Sequence, residues 1–508
     1  MSHGQILKSS AIIGGSSLVN AGLGIIRTKV MAILLGPAGF GLLGVYGSIS
    51  DLTRTVAGLG INSSGVRQIA EAVGSGDAQR IARTITTLRR VAFYSGALGA
   101  LLLLAFSKPV SWLTFKDAQH TGSVALLALA VFFGDVSAGQ SALVQGMRRI
   151  SDLARMSIWG ALYGTIFSVV IVYFFGERGV APSLVCVAAM GILTSWWYAR
   201  KIKVESVALT VRQIMDEASE LVKLGVVFMA SGFMTMGSAY LVRIILLHKI
   251  DLEAVGFYQA AWVLGGFYIG YIVQAMGADF YPRLAGAAND NAESNRLVNE
   301  QIETGLLLAA PGAMATLTFA PLVMQLFYSD KFGPSVEVFR WICLGMMIRV
   351  ASWPVGFVLV ARGKRGLFFW AELLSNLISV IFAWVGVQMF GLNGAGIAFF
   401  GLYVLNAVGV YWIVRRLTGF RWSAANRRLG FLFAPLTAAV FVGHYVFSDL
   451  MSAIFGGAIT LLVGIYSVKV LCTLIPLERL SKPARKIILF LRLATPNNNH
   501  KVADSSNP

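Results

Sequence analysis

Long apolar segments follow one another along almost the whole of this 508-residue chain. Fourteen of them approach the roughly 20 residues that an α-helix needs to cross a bilayer. None shows the alternating pattern of barrel strands, and in lipid a helix satisfies its own backbone hydrogen bonds. The sequence therefore predicts an all-α integral membrane protein with about fourteen transmembrane helices. The predicted spans are residues 10–35, 39–62, 91–113, 122–146, 157–175, 179–199, 222–247, 254–280, 304–328, 335–361, 368–390, 393–414, 430–447 and 451–472.

The composition is also that of a membrane protein. Only 13% of the residues are charged, about half of the roughly 25% that is usual in soluble domains. The three cysteines, Cys186, Cys343 and Cys472, lie far apart in apolar runs and match no metal or disulfide spacing, so we interpret them as packing residues. The first apolar stretch, of about 25 residues, is too long for a signal-peptide core, and we expect it to be a retained helix.

Basic residues are concentrated on one side of the predicted membrane. Of the 42 lysines and arginines, 29 fall in the N-terminus, the tail and the loops after even-numbered spans, and five fall in the opposite loops. The positive-inside rule then predicts that both termini are cytoplasmic. A basic cytoplasmic face against anionic lipid also explains the net charge of +18 without any nucleic acid partner.

Matching residues recur along the chain at an offset of 215 or 216 positions. Gly41 and Gly256 are 215 apart, and Arg27 and Arg243 are 216 apart. Further matches extend this offset over six predicted helices. Two parallel repeats around an axis along the membrane normal are typical of transporters. The predicted parts are an N-terminal six-helix bundle at 1–215, a C-terminal six-helix bundle at 216–430, and two extra transmembrane helices with a basic tail at 431–508.

The beginning of the chain resembles a known family. LLGPAGFGLLG at 34–44, followed by GLGINSSGVRQIAEA at 58–72, is similar to the first helical hairpin and cytoplasmic exit of Wzx-type O-antigen and polysaccharide flippases. These belong to the multidrug/oligosaccharidyl-lipid/polysaccharide (MATE-like) exporter superfamily, which the predicted architecture also resembles over the whole chain.

This resemblance implies a function and a location. It implies transport by alternating access of a polyprenyl-diphosphate-linked oligosaccharide, an O-antigen or exopolysaccharide repeat unit, from the cytoplasmic to the periplasmic leaflet. The protein would then be a multi-pass protein of the bacterial inner (plasma) membrane. Its partners would be the lipid-linked oligosaccharide, membrane lipids and other polysaccharide-assembly proteins.

Four arginines within the predicted spans are candidate substrate-binding residues. Ionisable residues deep in a membrane are costly and usually face a cavity, and arginine offers a planar set of donors that suits a diphosphate. We expect Arg54 and Arg349 to hold the diphosphate, with Arg27 and Arg243 lining its exit. Two alternatives remain open: Arg54 pairs with an aspartate on its own helix, or Arg27 and Arg243 snorkel to outer headgroups.

Two aspartates lie at a similar depth and are candidate ion-coupling residues. Asp51 precedes Arg54 by three positions in the second predicted span. Asp135, in the fourth span, either binds a coupling ion, a proton or sodium, or neutralises an arginine from a facing helix.

Other functions remain open beside the first. A lipid II flippase is also a fourteen-helix protein, and the sequence separates the two poorly. A cation-coupled multidrug antiporter of the same superfamily would be expected to line its cavity with carboxylates, whereas the deep charges here are at least as cationic as anionic. A membrane-embedded glycan polymerase or ligase would carry a large periplasmic loop, which is not predicted. The sequence contains no Walker A loop, nucleophile elbow or acidic metal cluster, so we predict a transporter without cofactor or metal and not an enzyme.

Overall fold

The computed structural model describes residues 3–202 and 210–474 of the chain. Within those ranges the secondary structure is helical and contains no strand, which confirms the predicted all-α fold. The predicted basic tail from Arg479 onward lies outside the described residues. The helices are α1 (His3–Ala57), α2 (Ile61–Ser75), α3 (Ala78–Ala105), α4 (Ser107–Phe115), α5 (Thr121–Gly146), α6 (Ile150–Phe175), α7 (Val180–Ala199), α8 (Val211–Lys249), α9 (Leu252–Gly286), α10 (Asn291–Thr318), α11 (Ala320–Phe327), α12 (Ser335–Ala361), α13 (Arg365–Phe390), α14 (Leu392–Thr418), α15 (Ala424–Val446) and α16 (Asp449–Leu474).

Ten helical stretches of the described chain are long and apolar enough to cross a membrane, or eleven if the bent pair α10 and α11 forms one span. The predicted count of fourteen is therefore not confirmed. Two of the stretches, Gly14–Ala57 and Ile150–Ala199, each cover two predicted spans. The first contains a break at Gly36, whose φ is 64°, and the second contains the short 3-10 helix Gly176–Gly179.

Several helices extend beyond the predicted apolar spans. The expected loop at 63–90 is occupied by α2 and by the first turns of α3. Asp77 starts α3 by accepting a hydrogen bond from the Gln79 backbone N–H at 2.8 Å, and Asp290 starts α10 by the same kind of cap. Such caps satisfy free N–H groups of a first helical turn. The span predicted at 91–113 was placed too late because the first half of α3 is polar.

Packing divides the chain into two compact units, each with its own core. Ile85, Leu88 and Leu143 are buried in a core of the first unit, and Val298 and Leu359 are buried in a core of the second. The predicted division at residues 215 and 430 follows the sequence offset rather than packing, and it stays a prediction. The first unit comprises the residues up to Ala260 with Gln325–Gly333 and Glu372–Leu392, and the second comprises Ala261–Met324, Pro334–Ala371 and the residues from Asn393 on.

Within the first unit, the two glycines separated by 215 positions pack directly against each other. A Cβ added to Gly41 would lie 2.9 Å from the Gly256 nitrogen and would overlap the Leu252 carbonyl oxygen. A Cβ added to Gly256 would overlap the Pro37 carbonyl oxygen. Because Leu252 follows Pro37 by 215 positions, each contact is the counterpart of the other. Reciprocal contacts of this kind indicate a twofold relation and support the predicted parallel repeats.

Turn conformations recur at the same offset. Gly176 and Gly391, 215 positions apart, have φ values of 55° and 58°. Arg148 and Gly363, also 215 apart, have φ values of 56° and 65°. Glycine adopts this left-handed region readily, whereas a residue with a Cβ seldom does. Arg148 adopts this conformation despite its Cβ, at the position equivalent to Gly363. The same turn therefore occurs at equivalent positions of the two predicted repeats.

Candidate functional site

A polar cavity of about 490 Å³ lies within the first unit. Helices α1, α2, α3, α5 and α8 supply its lining. Asp51 and Arg54 reach it from α1, Asp135 from α5 and Ser95 from α3, while α8 contributes Gly232 among mostly apolar neighbours. Three of the six predicted site residues therefore meet in one cavity.

Arg54 pairs with Asp135 across helices and not with the aspartate on its own helix. Its Nε lies 3.7 Å from Asp135 Oδ1, and its Nη2 donates to the Gly134 carbonyl oxygen at 3.3 Å. The Asp135 side chain is 5% exposed and that of Arg54 is 38% exposed. The structure therefore shows the alternative in which Asp135 neutralises an arginine from a facing helix. The guanidinium of Arg54 still reaches the cavity.

Glycines make room for this pair. A Cβ added to Gly134 would lie 2.6 Å from Arg54 Cζ, and one added to Gly96 would lie 3.1 Å from Asp135 Cβ. A Cβ added to Gly58 would lie 3.4 Å from Asp135 Oδ1. The absence of side chains at these positions on α5, α3 and after α1 lets the three segments approach closely enough for the buried carboxylate to meet the arginine.

The paired groups retain unused hydrogen-bonding capacity. In the part of the chain that the structure describes, Arg54 Nε and Asp135 Oδ2 are buried without a hydrogen-bond partner. A guanidinium carries five N–H donors, and buried polar atoms are normally hydrogen-bonded. The pair therefore has hydrogen-bonding capacity that its own contact leaves unused.

Arg243 of α8 is buried in the first unit, with only 6% of its surface exposed. Its Nε and Nη2 donate to Gln259 Oε1 at 3.0 and 2.6 Å, and its Nη1 donates to the Ala239 carbonyl oxygen at 2.8 Å. Its charge also acts on Asp51, on which the charge of Arg54 acts more strongly. A guanidinium fixed in this way does not snorkel to lipid headgroups. The sequence analysis missed Gln259, whose signal was a lone amide in an apolar segment beside Gly256.

Arg27 is partly buried in α1. Among the described residues its side chain has neither a hydrogen bond nor a salt bridge. Lys29, two positions later, donates from Nζ to the Leu326 carbonyl oxygen at 2.6 Å. The structure thus fixes Lys29 but leaves the expected role of Arg27 at the exit as a prediction.

Arg349 lies in α12 of the second unit and is partly buried. Its Cζ lies 5.8 Å from the centroid of the Tyr403 ring, and its Nη1 lies 3.8 Å from Met346 Sδ. No carboxylate in the described ranges pairs with it. A cation–π contact contributes only about 0.5–2 kcal/mol, so the charge of Arg349 is weakly compensated within its unit.

Glu372 is a charged residue of α13 that the sequence analysis did not single out. Both of its carboxylate oxygens accept from the Ser231 hydroxyl, at 2.7 and 2.8 Å. One turn later, Asn376 Oδ1 accepts from Ser238 at 2.7 Å. These contacts join α13 to α8, the helix that also lines the polar cavity. The signal in the sequence was a single carboxylate near the start of a long apolar stretch.

The chain is similar to a known protein family and to flippases of two bacteria. Residues 30–337 match the sequence model of a family described as polysaccharide biosynthesis protein. The lipid III flippase of Escherichia coli (strain K12) is 22% identical over 421 residues, which cover 81% of this chain and 99% of that protein. The lipid III flippase of Shigella flexneri matches to the same extent.

Solved structures share the fold. The lipid II flippase MurJ, in an inward closed conformation, superposes with a TM-score of 0.67 at 13% identity and covers 92% of this chain and 99% of its own. An inward-facing multidrug resistance MATE family transporter of the MOP superfamily superposes with a TM-score of 0.66 at 14% identity, covering 78% of this chain and 94% of its own. These similarities confirm the predicted MATE-like fold.

Proposed function

Because the chain belongs to the polysaccharide biosynthesis protein family, whose model matches more than half of it, we propose that it is a flippase for a polyprenyl-diphosphate-linked oligosaccharide. The cargo is an O-antigen or exopolysaccharide repeat unit, and it moves from the cytoplasmic to the periplasmic leaflet of the bacterial inner membrane. The names of the relatives support this proposal, since the Escherichia coli and Shigella flexneri proteins are both lipid III flippases.

The observation that carries the proposal is the partly exposed guanidinium of Arg54 in the polar cavity. Its planar donors can hold two phosphate oxygens at once. Asp135 is already matched by Arg54, and the charge of Arg243 interacts with Asp51. The cavity lining itself carries two carboxylates and one arginine, and it is the deep arginines outside this lining, Arg243 and Arg349, that argue against a multidrug antiporter. Arg349, in the second unit, is the other arginine that the sequence predicts to hold the diphosphate.

Asp51 and Asp135 are the proposed ion-coupling residues. When the diphosphate takes the guanidinium of Arg54, Asp135 loses its counter-ion. A buried carboxylate without a counter-ion is strongly unfavourable, so Asp135 must then take up a proton or a sodium ion. Cargo binding at Arg54 is therefore linked to ion binding at Asp135.

The crossing of Gly41 and Gly256 is the proposed pivot for alternating access. It lies where the two predicted repeats touch by equivalent residues, and two glycines allow the backbones to approach without interlocking side chains. Rocking of the parallel repeats about such a contact would open a central cavity to either side of the membrane.

Depletion of the protein in its own cells is expected to remove surface polysaccharide and to trap its lipid-linked repeat unit in the cytoplasmic leaflet. The measurement is mass spectrometry of extracted polyprenyl-diphosphate glycans, with an assay of which leaflet holds them. Accumulation of lipid II with cell lysis would instead identify a lipid II flippase. Sensitivity to cationic drugs without any glycan accumulation would identify an antiporter.

The orientation that this function requires can be tested by cysteine labelling in a chain whose three native cysteines are replaced by serine. Cysteines at Arg178 and Asn393 are expected to react with an impermeant reagent added to the periplasm, whereas cysteines at Ser151 and Lys364 are not. All four side chains are exposed, so the difference reports the side of the membrane. Labelling of the second pair in intact cells would overturn the proposed cytoplasmic position of both termini.

A further inference from the structure

An exposed groove runs between α6 and α7 of the first unit, separate from the polar cavity. We call it the aromatic groove; it has a volume of about 410 Å³ and its lining includes Trp159, Tyr163 and Phe167 of α6 and Leu193 and Trp197 of α7. The three α6 residues recur every four positions, so they lie on one face of that helix. Among the residues that the structure describes, no acidic side chain lines the groove.

The two helices approach each other closely beside the groove. A Cβ added to Gly160 would lie 3.1 Å from Thr194 Oγ1, and one added to Gly164 would lie 3.5 Å from Val187 Cγ1. The rings of Trp159 and its neighbour four positions later are stacked, with centroids 5.5 Å apart. The two glycines thus allow α6 and α7 to pack closely, while the rings of Trp159 and Tyr163 point outward and are 42% and 40% exposed.

Cations lie at one end of the groove. Arg200 Cζ lies 3.6 Å from the centroid of the Trp197 ring, and Lys201 Nζ lies 4.3 Å from that of Tyr198. Both rings line the groove. Arg155, one turn before the first groove ring, is also exposed. Neither Arg200 nor Lys201 pairs with a carboxylate in the described parts of the chain, so their charges are available to a ligand.

We propose that the aromatic groove binds one anionic phospholipid of the membrane. One of its two acyl chains lies along the rings, and its headgroup phosphate lies between Arg200 and Lys201. An exposed apolar groove on a membrane-spanning hairpin is complementary to an acyl chain, and aromatic rings favour the level of the headgroups. The cations at one end select a net negative headgroup over a zwitterionic one.

The second predicted repeat provides a matched control. At the repeat offset, Leu374 and Ile378 are the counterparts of Trp159 and Tyr163, so the aromatic ladder is absent there. The cation–ring contact is kept, because Arg416 Cζ lies 3.7 Å from the Trp412 ring centroid. A cation beside a tryptophan is therefore present in both places, but the aromatic ladder is present in only one.

Native mass spectrometry of the purified full chain, titrated with equal amounts of phosphatidylglycerol and phosphatidylcholine, tests the proposal. The variant Arg200→Gln/Lys201→Gln is expected to bind phosphatidylglycerol about 30-fold more weakly, because each basic residue near an anionic lipid surface strengthens binding roughly fivefold. Trp159→Leu/Tyr163→Ile is expected to weaken the binding of both lipids. Arg415→Gln/Arg416→Gln should bind phosphatidylglycerol as the unaltered protein does.

Three outcomes would overturn the proposal. The first is unchanged phosphatidylglycerol binding by Arg200→Gln/Lys201→Gln. The second is an equal loss in Arg415→Gln/Arg416→Gln, which would show a general basic surface. The third is displacement of phosphatidylglycerol by an equal concentration of glycerol 3-phosphate, which would show a site for a free phosphate. Thermal unfolding of each variant verifies that these exposed changes leave the fold intact.

Discussion

Arg349→Ala is expected to abolish glycan export, a fall of roughly 100-fold, since hydrogen bonds to a charged group contribute up to about 3 kcal/mol. Arg349 lies twelve residues from the nearer end of α12, about 18 Å along the helix axis. A lone cation at that depth costs at least ~2.5 kcal/mol, and only a ring and a thioether accompany it among its described neighbours. Export of surface glycan is the measurement.

Membrane insertion of Arg349→Ala should remain near normal. Its counterpart in the first predicted repeat is Gly134 at an offset of 215 or Phe133 at an offset of 216, so an equivalent helix folds without a cation there. Arg349→Lys should keep part of the export, because lysine retains the charge but loses the bidentate geometry. Normal export by Arg349→Ala would place the diphosphate elsewhere, and failure of the variant protein to accumulate would make Arg349 a structural residue.

Arg54→Ala is expected to reduce export to a similar extent, and Gly134→Ala about tenfold. A methyl group at Gly134 would lie 2.6 Å from Arg54 Cζ. The flexible end of Arg54 can move aside without loss of packing, but the buried Asp135 then loses its counter-ion and must take up a proton or an ion, so we expect a measurable loss of stability as well. The displaced guanidinium would lose both Asp135 and the cargo. Export and thermal unfolding measured on the same variants separate the two effects.

Gly47→Ala is the control for the glycine substitution. Gly47 also lies in α1, and a Cβ there meets nothing within 4 Å, so export should stay normal. If Gly134→Ala also exports normally while Arg54→Ala does not, the role of Arg54 does not depend on its position beside Asp135. If Arg54→Ala exports normally, the polar cavity is not the cargo site.

Much of the fold follows from apolar length and from the repeat. The contact of Gly41 with Gly256 and the matching turns at Gly176 and Gly391 occur at the offset of 215 positions, but the division into two six-helix bundles stays a prediction. Helix boundaries were less predictable. The polar first half of α3 is stabilised by its Asp77 cap and by packing. Neither effect changes the mean hydropathy of a sequence window long enough to cross a bilayer.

The candidate site was only partly predictable. Depth along each span identified Arg54 and Asp135, but their pairing depends on the crossing of α1 and α5, which a linear sequence does not contain. The sequence left Arg243 free to snorkel because its partner, Gln259, is neutral and is not found by looking for charged residues. Glu372 lies near the start of its apolar stretch, where depth alone gave no reason to single it out.

Transbilayer movement in liposomes without nucleotide tests the central claim most directly. The purified protein would be reconstituted with the lipid-linked repeat unit of its own cells, and impermeant periodate would report which sugars are on the outer face. A doubly anionic diphosphate gains roughly 2.3 kcal/mol per charge per 100 mV when it leaves a negative interior, so an imposed potential should bias the movement outward. We predict that the whole glycan pool becomes accessible without ATP and that Arg54→Ala and Arg349→Ala prevent this. A strict requirement for ATP, or no difference from protein-free liposomes, would contradict the account.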